Sequence, residues 1–141
     1  MADRAAQHCG VPGSRLLTAV ALDVARTGAD SILSDLVHRR LVEHGLRPDD
    51  VPVPVPIGHQ GRVLHPDITF AWAKVGIECD SLAHHGTQRA IDLDHRKDQA
   101  YRQVGWDCPR IGWYRYDHDW PGFVRDVEAT LDRARVERGH R

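Results

Sequence analysis

An α/β fold, with a mixed sheet made of a β-hairpin plus a βαβ crossover and flanked by helices, is what this sequence of 141 residues predicts. Three observations carry that expectation. β-branched and aromatic residues fill Val63 to Ala71 and again Val75 to Cys79, with Trp72-Ala73-Lys74 as the link, which reads as a tight hairpin. A helical pattern from Ala90 to Val104 then leads into a further strand-like run, Trp106 to Trp113, and a strand–helix–strand succession makes a right-handed crossover between parallel strands. Amphipathic helical spacing lies on both sides of this unit.

Taken in order, Val11-Pro12-Gly13 is a turn and Ser14 an N-cap for a helix whose apolar residues are Leu16, Leu17, Val20, Ala21 and Val24. Thr27 to Ser31 breaks that helix, and Asp30 or Ser31 caps the next. Its buried stripe is Ile32, Leu33, Leu36, Val37 and Leu41, and Gly45 closes it. Pro52, Pro54 and Pro56 fall at every second position among valines, which is extended chain but not a central strand, because proline has no N–H for the ladder. After the hairpin comes a loop, Ser81 to Gln88, with His84-His85-Gly86 inside it. The helix that follows turns Leu93, Ala100 and Val104 inward and carries Asp94, Asp98 and Arg102 at i, i+4 spacing on its flank, and Gly105 ends it. Pro109 makes the next strand an edge strand or a bulged one. Tyr116-Asp117-His118-Asp119 reads as a polar turn. Pro121 stands at the first turn of a last helix whose core residues are Phe123, Val127, Leu131 and Ala134.

The length suits one domain over residues 1–141, with 1–13 and 138–141 as fraying ends. No stretch approaches the roughly 20 apolar residues that cross a bilayer, and Met1-Ala2-Asp3-Arg4 lacks a basic-then-apolar leader, so a cytoplasmic chain away from membranes is expected. Cys9, Cys79 and Cys108 form no CxxC pair, which argues against a disulfide framework and a zinc knuckle. A net charge of −1 excludes grip on nucleic acid by bulk electrostatics. Any such contact has to come from local clusters: Arg39-Arg40, Arg96-Lys97, Arg102 with Arg110, and the C-terminal arginines. The ten histidines offer titration near neutrality.

The chemistry is concentrated around the hairpin. A two-residue turn centred on Trp72-Ala73 places Ile68 opposite Ile77 and Phe70 opposite Val75 on one apolar face, and Asp67 opposite Glu78 on the other, with Asp80 one pleat further. Cross-strand neighbours lie roughly 5 Å apart at Cβ. Three carboxylates at that spacing repel one another unless a cation lies between them, and a hard divalent ion with oxygen ligands suits them. The bland alternative is an acidic solvent face on an ordinary hairpin. The crossover topology puts Asp80 and the His84-His85 loop at a strand's carboxyl end, where α/β sites gather.

Pro66-Asp67, the short hairpin, Glu78-x-Asp80, His85, Arg96-Lys97-Asp98, Gly105-Trp106 and Arg110, in that order, resemble the PD-(D/E)XK nuclease superfamily. The likeness is to the bacterial Vsr-like endonuclease-domain proteins related to very-short-patch repair endonucleases, and it runs over nearly the whole chain. It implies a restriction-endonuclease-like fold and Mg²⁺- or Mn²⁺-dependent hydrolysis of DNA phosphodiesters. Asp67, Glu78, Asp80, His85 and Asp98 would be catalytic, the metal would be held by Asp67, Glu78 and the Cys79 backbone carbonyl, and Arg96, Lys97 and Arg110 would contact nucleic acid. Asp80 stands where many of these nucleases have lysine, so water activation falls to the metal or to His85. The chain departs from the group in having Ser81 where a glycine is usual, Pro109 where an apolar residue is usual, and Ser34-Asp35 where the first helix usually offers a glutamate.

A second reading keeps the fold and drops the turnover: an inactive nucleic-acid-binding or regulatory module from a toxin–antitoxin or defence locus. A homodimer and a partner protein or domain from such a locus stay open. A transition-metal site on His84 and His85 matches no standard ligand spacing. Arg110 serves equally as a phosphate contact or as the ion-pair partner of an acid, and Trp72 and Trp113 as core residues or as stacking platforms.

Overall fold

The computed structural model describes residues 28, 30–58, 60–81 and 88–139. The helix expected after Ser14 and the His84-His85 loop lie outside them. The architecture is mixed α/β, with two small sheets and helices packed on them. Helix α1 spans residues 30–43, and strands β1 (Val55–Ile57) and β2 (Arg62–Leu64) form an antiparallel ribbon. Strands β3 (Ile68–Phe70) and β4 (Val75–Cys79) are the hairpin, followed by α2 (Gln88–Gln103), β5 (Arg110–Ile111), α3 (Trp113–His118) and α4 (Trp120–Glu137). The order in the second sheet is β3-β4-β5, so β4 is central. No described helix is long and apolar enough to cross a membrane.

The hairpin register is the one the alternation predicts: Ile68 pairs with Ile77 and Phe70 with Val75. A 3-10 turn at Ala71–Ala73 closes it, with the Lys74 amide donating to Ala71 O at 3.1 Å and Lys74 at φ 53°. β4 and β5 run parallel across α2, with Glu78 beside Arg110 and Cys79 beside Ile111. The expected crossover is therefore present.

The two faces of this sheet differ. Ile68, Phe70, Val75 and Ile77 join Leu33, Val37 and Leu41 of α1 and Phe123, Val127 and Leu131 of α4 in one apolar core. The other face presents Thr69, Gly76 and Glu78, all buried, toward the proline-rich segment and α2. Gly76 has to lack a side chain, because a Cβ there would lie 2.9 Å from Pro66 Cβ. Both α1 and α2 end in the same device. Leu46 N–H donates to Leu41 O and Gly45 N–H to Val42 O at one end, and Trp106 N–H to Tyr101 O and Gly105 N–H to Arg102 O at the other. Each is a Schellman motif with a left-handed glycine.

Several expectations change. Val63 to Ala71 is not one strand: β2 stops at Leu64, the buried Pro66 interrupts, and β3 begins at Ile68 in a different sheet. The run Trp106 to Trp113 shrinks to Arg110–Ile111 plus a bridge between Val75 and Asp107. Pro109 cannot donate to a ladder, but its carbonyl accepts from Glu78 N–H at 3.0 Å, which suits β5's position at the sheet edge. The segment expected as a turn around Tyr116 is helical. In α1, Ile32 is exposed while Leu33, Val37 and Leu41 are fully buried. In α2, Leu93 is exposed at 54%, and Tyr101 is the residue buried completely. The helix is thus rotated by about one residue from the apolar stripe, about 100° of arc, so Asp94, Lys97, Asp98 and Tyr101 face inward.

The segment after α1 is tied to the sheet by Asp49. Its Oδ2 accepts from Thr69 Oγ1 at 2.7 Å and from Ala71 N–H at 2.9 Å, while its own N–H donates to Thr69 O at 2.8 Å. Thr69 Oγ1 also accepts from Val53 N–H at 3.0 Å, so one buried hydroxyl fastens this segment to β3 at two points. Thr69→Val keeps the shape but takes one of two donors from the Asp49 carboxylate and strands the Val53 amide. It is expected to lower stability by about 1–3 kcal/mol, and Thr69→Ser by much less. Urea unfolding of the two variants checks this, and equal losses would contradict it.

Candidate active site

Asp67 enters the site because the strand leaves its ladder there. Extending the register would set Asp67 opposite Glu78, but the Asp67 amide donates to Ile77 O at 3.0 Å, one residue short of that register. Its carboxylate reaches along β4 instead, and Oδ2 accepts the Cys79 N–H at 2.7 Å. Burial pushes the Asp67 carboxyl up to about 6; the Cys79 amide lowers it, Glu78 raises it, Lys97 lowers it and Asp30 raises it, in falling order of effect.

Glu78 lies on the central strand and is 7% exposed. Two donors from α2, one turn apart, converge on its Oε1: Lys97 Nζ at 2.9 Å and Tyr101 Oη at 2.7 Å. Beside it on β5, Arg110 donates through Nε (3.1 Å) and Nη2 (2.9 Å) to Asp98 Oδ1, and Nη1 lies 3.5 Å from Asp94. The inward face of α2 thus meets the sheet by charge pairing and hydrogen bonding, which is the condition for burying charged groups at all.

A cleft of about 370 Å³ opens at the carboxyl end of β4, lined by Asp30, His65, Asp67, Glu78, Cys79, Asp80, Leu93, Asp94, Lys97 and Arg110. Five carboxylates face two permanent cations, so the cleft attracts positive charge. Among the described residues, no group of three or more His, Cys, Asp or Glu side chains is arranged to hold a metal ion. Asp67, Glu78 and Asp80 therefore share a cleft without forming the three-carboxylate cage that the strand alternation suggests. The reason is local: Glu78 is drawn to α2 and Asp67 to the Cys79 amide.

The remaining candidates divide. Asp80 is half-buried at the cleft wall, and its amide donates to Ile111 O at 2.9 Å. His85 lies outside the described residues. Asp98 lines a separate depression with Arg102 and Cys108, where it serves as the counter-ion of Arg110. The i, i+4 flank of Asp98 and Arg102 thus gives way to a cross-element pair. Arg96 is exposed on α2. Arg40 is committed elsewhere, stacked on the rings of Tyr116 (4.9 Å) and Trp120 (4.6 Å) and donating to Tyr116 O. Trp72 and Trp113 pack against the core.

Two residues that line the cleft, His65 and Asp30, and one buried behind it, Tyr101, escaped the sequence reading as site residues. Tyr101 has no motif around it, although its i+4 spacing from Lys97 marks a shared helix face. His65 directly precedes Pro66-Asp67, and that adjacency was the available signal. Asp30, not Asp35, is the acid α1 brings to the cleft, and its Oδ1 accepts from the Ser81 N–H at 2.7 Å and from the Ser81 hydroxyl. Ser81 is not among the described residues with positive φ, so the serine at a usual glycine position carries no strain and its hydroxyl has a use. Asp35 faces a groove on the other side of Asp67 with His38 and Arg39.

Compared with known proteins, the chain matches no family model, no curated protein and no solved structure.

Asp67 holds its proton up to about pH 6 when folded, against 3.8 ordinarily. Between those values the unfolded chain has released a proton that the folded chain keeps. Stability therefore falls as pH rises from about 4 to about 6 and stays at the lower level above. Asp67→Asn keeps an acceptor for Cys79 N–H and removes the ionisation. It is expected to flatten this part of the profile and to stabilise the chain above pH 6 by on the order of 1 kcal/mol, after allowance for solvent screening of a partly exposed group. Urea unfolding of both proteins from pH 4 to 8 measures the difference, and parallel curves would contradict the assignment.

Proposed function

We propose that the chain is a metal-dependent endonuclease acting on DNA, with a restriction-endonuclease-like fold of the PD-(D/E)XK type. The observation that carries this reading is the meeting, in one cleft at the carboxyl end of the central strand, of Asp67, Glu78 and the Lys97 ammonium 2.9 Å from Glu78 Oε1. Two acids and a lysine are the chemical content of the motif the sequence resembles. The lysine is supplied by the following helix instead of by position 80.

Carboxylate and carbonyl oxygens are the kind of donor that a hard divalent ion takes. Magnesium is held by one or two carboxylates and retains several waters, so it does not need three protein side chains. Asp67, Glu78 and the Cys79 carbonyl would hold it, and when bound it would polarise a phosphodiester and acidify an attacking water. The chain's own groups do the rest. Lys97 offers a mobile positive charge for the developing phosphorane oxygens. His65 at the cleft wall is an imidazole available as a proton acceptor, and the resemblance assigns the same role to His85. Arg96, exposed on α2, suits a backbone phosphate, whereas Arg110 is pinned by Asp98 and keeps the cleft wall in place.

One observation favours the second reading, an inactive nucleic-acid-binding or regulatory module: Lys97 already neutralises Glu78, as a permanent substitute for a metal would. Incubation of the full chain with plasmid and single-stranded DNA, with Mg²⁺ or Mn²⁺, separates the two. The enzyme is expected to nick only with metal, to lose activity with Asp67→Ala and Glu78→Ala, and to slow by roughly 10²–10³ with Lys97→Ala. DNA binding without cleavage supports the module, and cleavage by the Asp67 and Glu78 variants at the wild-type rate refutes the site.

A further inference from the structure

Glu78 is gripped from two sides by donors of opposite character. Lys97 comes from the solvent side, its side chain 38% exposed on a flexible four-carbon stem. Tyr101 comes from within, with no solvent exposure at all. A lysine can swing away to meet a phosphate; a buried aromatic ring with two rotatable bonds cannot.

The seat of that ring is built by the backbone around it. Gly76 on the central strand lies against it, placed so that a Cβ there would meet the Tyr101 ring at an ordinary contact distance of 3.6 Å. Tyr101 stands in the last turn of α2, and its carbonyl accepts both the Val104 N–H at 3.2 Å and the Trp106 N–H at 2.9 Å, so the Schellman cap locks the residue that carries the hydroxyl. Both donors take Oε1. Glu78 also lines the cleft.

We propose that Tyr101 is the positioning residue of this cleft: its hydroxyl fixes one oxygen of Glu78 and so presents the other to a divalent cation, whether or not Lys97 stays on the carboxylate. The cation rests on the nuclease reading above; the orientation of Glu78 does not.

Tyr101→Phe in the full chain is the test, since it removes one oxygen and keeps the ring in its seat. Titration with Mn²⁺ alone, followed calorimetrically, and cleavage measured against Mg²⁺ concentration are expected to show half-saturation moved up roughly tenfold or more, the usual effect of removing an outer partner of a metal ligand. The rate at saturating metal should change far less. A merely structural role would instead lower the unfolding temperature and leave half-saturation where it was, and that result overturns the proposal. Lys97→Met provides the contrast: half-saturation should stay near the wild-type value while the rate falls. If Lys97→Met moves half-saturation and Tyr101→Phe does not, the positioning group is Lys97 and the proposal fails. A crystal structure of metal-free Tyr101→Phe gives the metal-independent arm. Glu78 displaced from its wild-type place supports the assignment, and Glu78 held in place by Lys97 alone overturns it. A wild-type chain that neither binds Mn²⁺ nor cuts DNA refutes the nuclease reading, and the position of Glu78 in that crystal structure then decides the role of Tyr101 by itself.

Discussion

A carboxylate on the middle strand of a sheet, screened from water, has to be matched by donors, and the environment of Glu78 organises this side of the fold. Leaving such an ion unpaired costs several kcal/mol, so the helix laid over that face is obliged to bring a cation and a hydroxyl. That obligation explains why α2 turns Asp94, Lys97, Asp98 and Tyr101 inward and leaves Leu93 to solvent. It also explains the second pair. Arg110 lies beside Glu78 in the parallel ladder, and Asp98 and Asp94 balance it so that the cation is not left alone in a half-buried position.

The opposite face of the same sheet follows the reverse rule. There β-branched and aromatic side chains of β3 and β4 close against α1 and α4 with no charge to compensate. The hairpin therefore serves two purposes at once through the alternation of its side chains, one parity for the core and the other for polar contacts. Thr69 shows the second parity used structurally: its hydroxyl, buried next to the Asp49 carboxylate, fastens the proline-rich segment. Glu78, one pleat beyond Thr69's partner Gly76, shows it used for the cleft.

Charge is distributed to the same end. Several arginines are occupied within the fold, Arg40 on two aromatic rings and Arg115 with Asp119 and Asp126, and the cleft itself is acidic. With net charge −1, a polyanion would not be drawn in by the surface as a whole. In the proposed function a divalent ion held by Asp67 and Glu78 would supply the positive charge that a phosphate needs, with Lys97 as the cation nearest the chemistry.

The hairpin register, the crossover, the glycine ends of α1 and α2, and the last helix were all legible in the sequence. Each depends on short-range chemistry: alternation along a strand, glycine at positive φ, proline at a first turn, apolar spacing at 3.6 residues. That register separated Glu78 from the apolar face, but Asp67 reaches the cleft by leaving it. What the linear pattern could not supply was the orientation of α2 about its axis, because Leu93, Ala100 and Val104 make a plausible apolar stripe until the buried charge of Glu78 is known. The division of Val63 to Ala71 between two sheets, the recruitment of Tyr101, His65 and Asp30, and the pairing of Arg110 with Asp98 were likewise settled only in three dimensions. Hydrophobic periodicity chooses a helix face when the surface opposite is apolar; where that surface carries an ion, pairing outweighs burial of a leucine, and the partner is visible only once the strands are assembled.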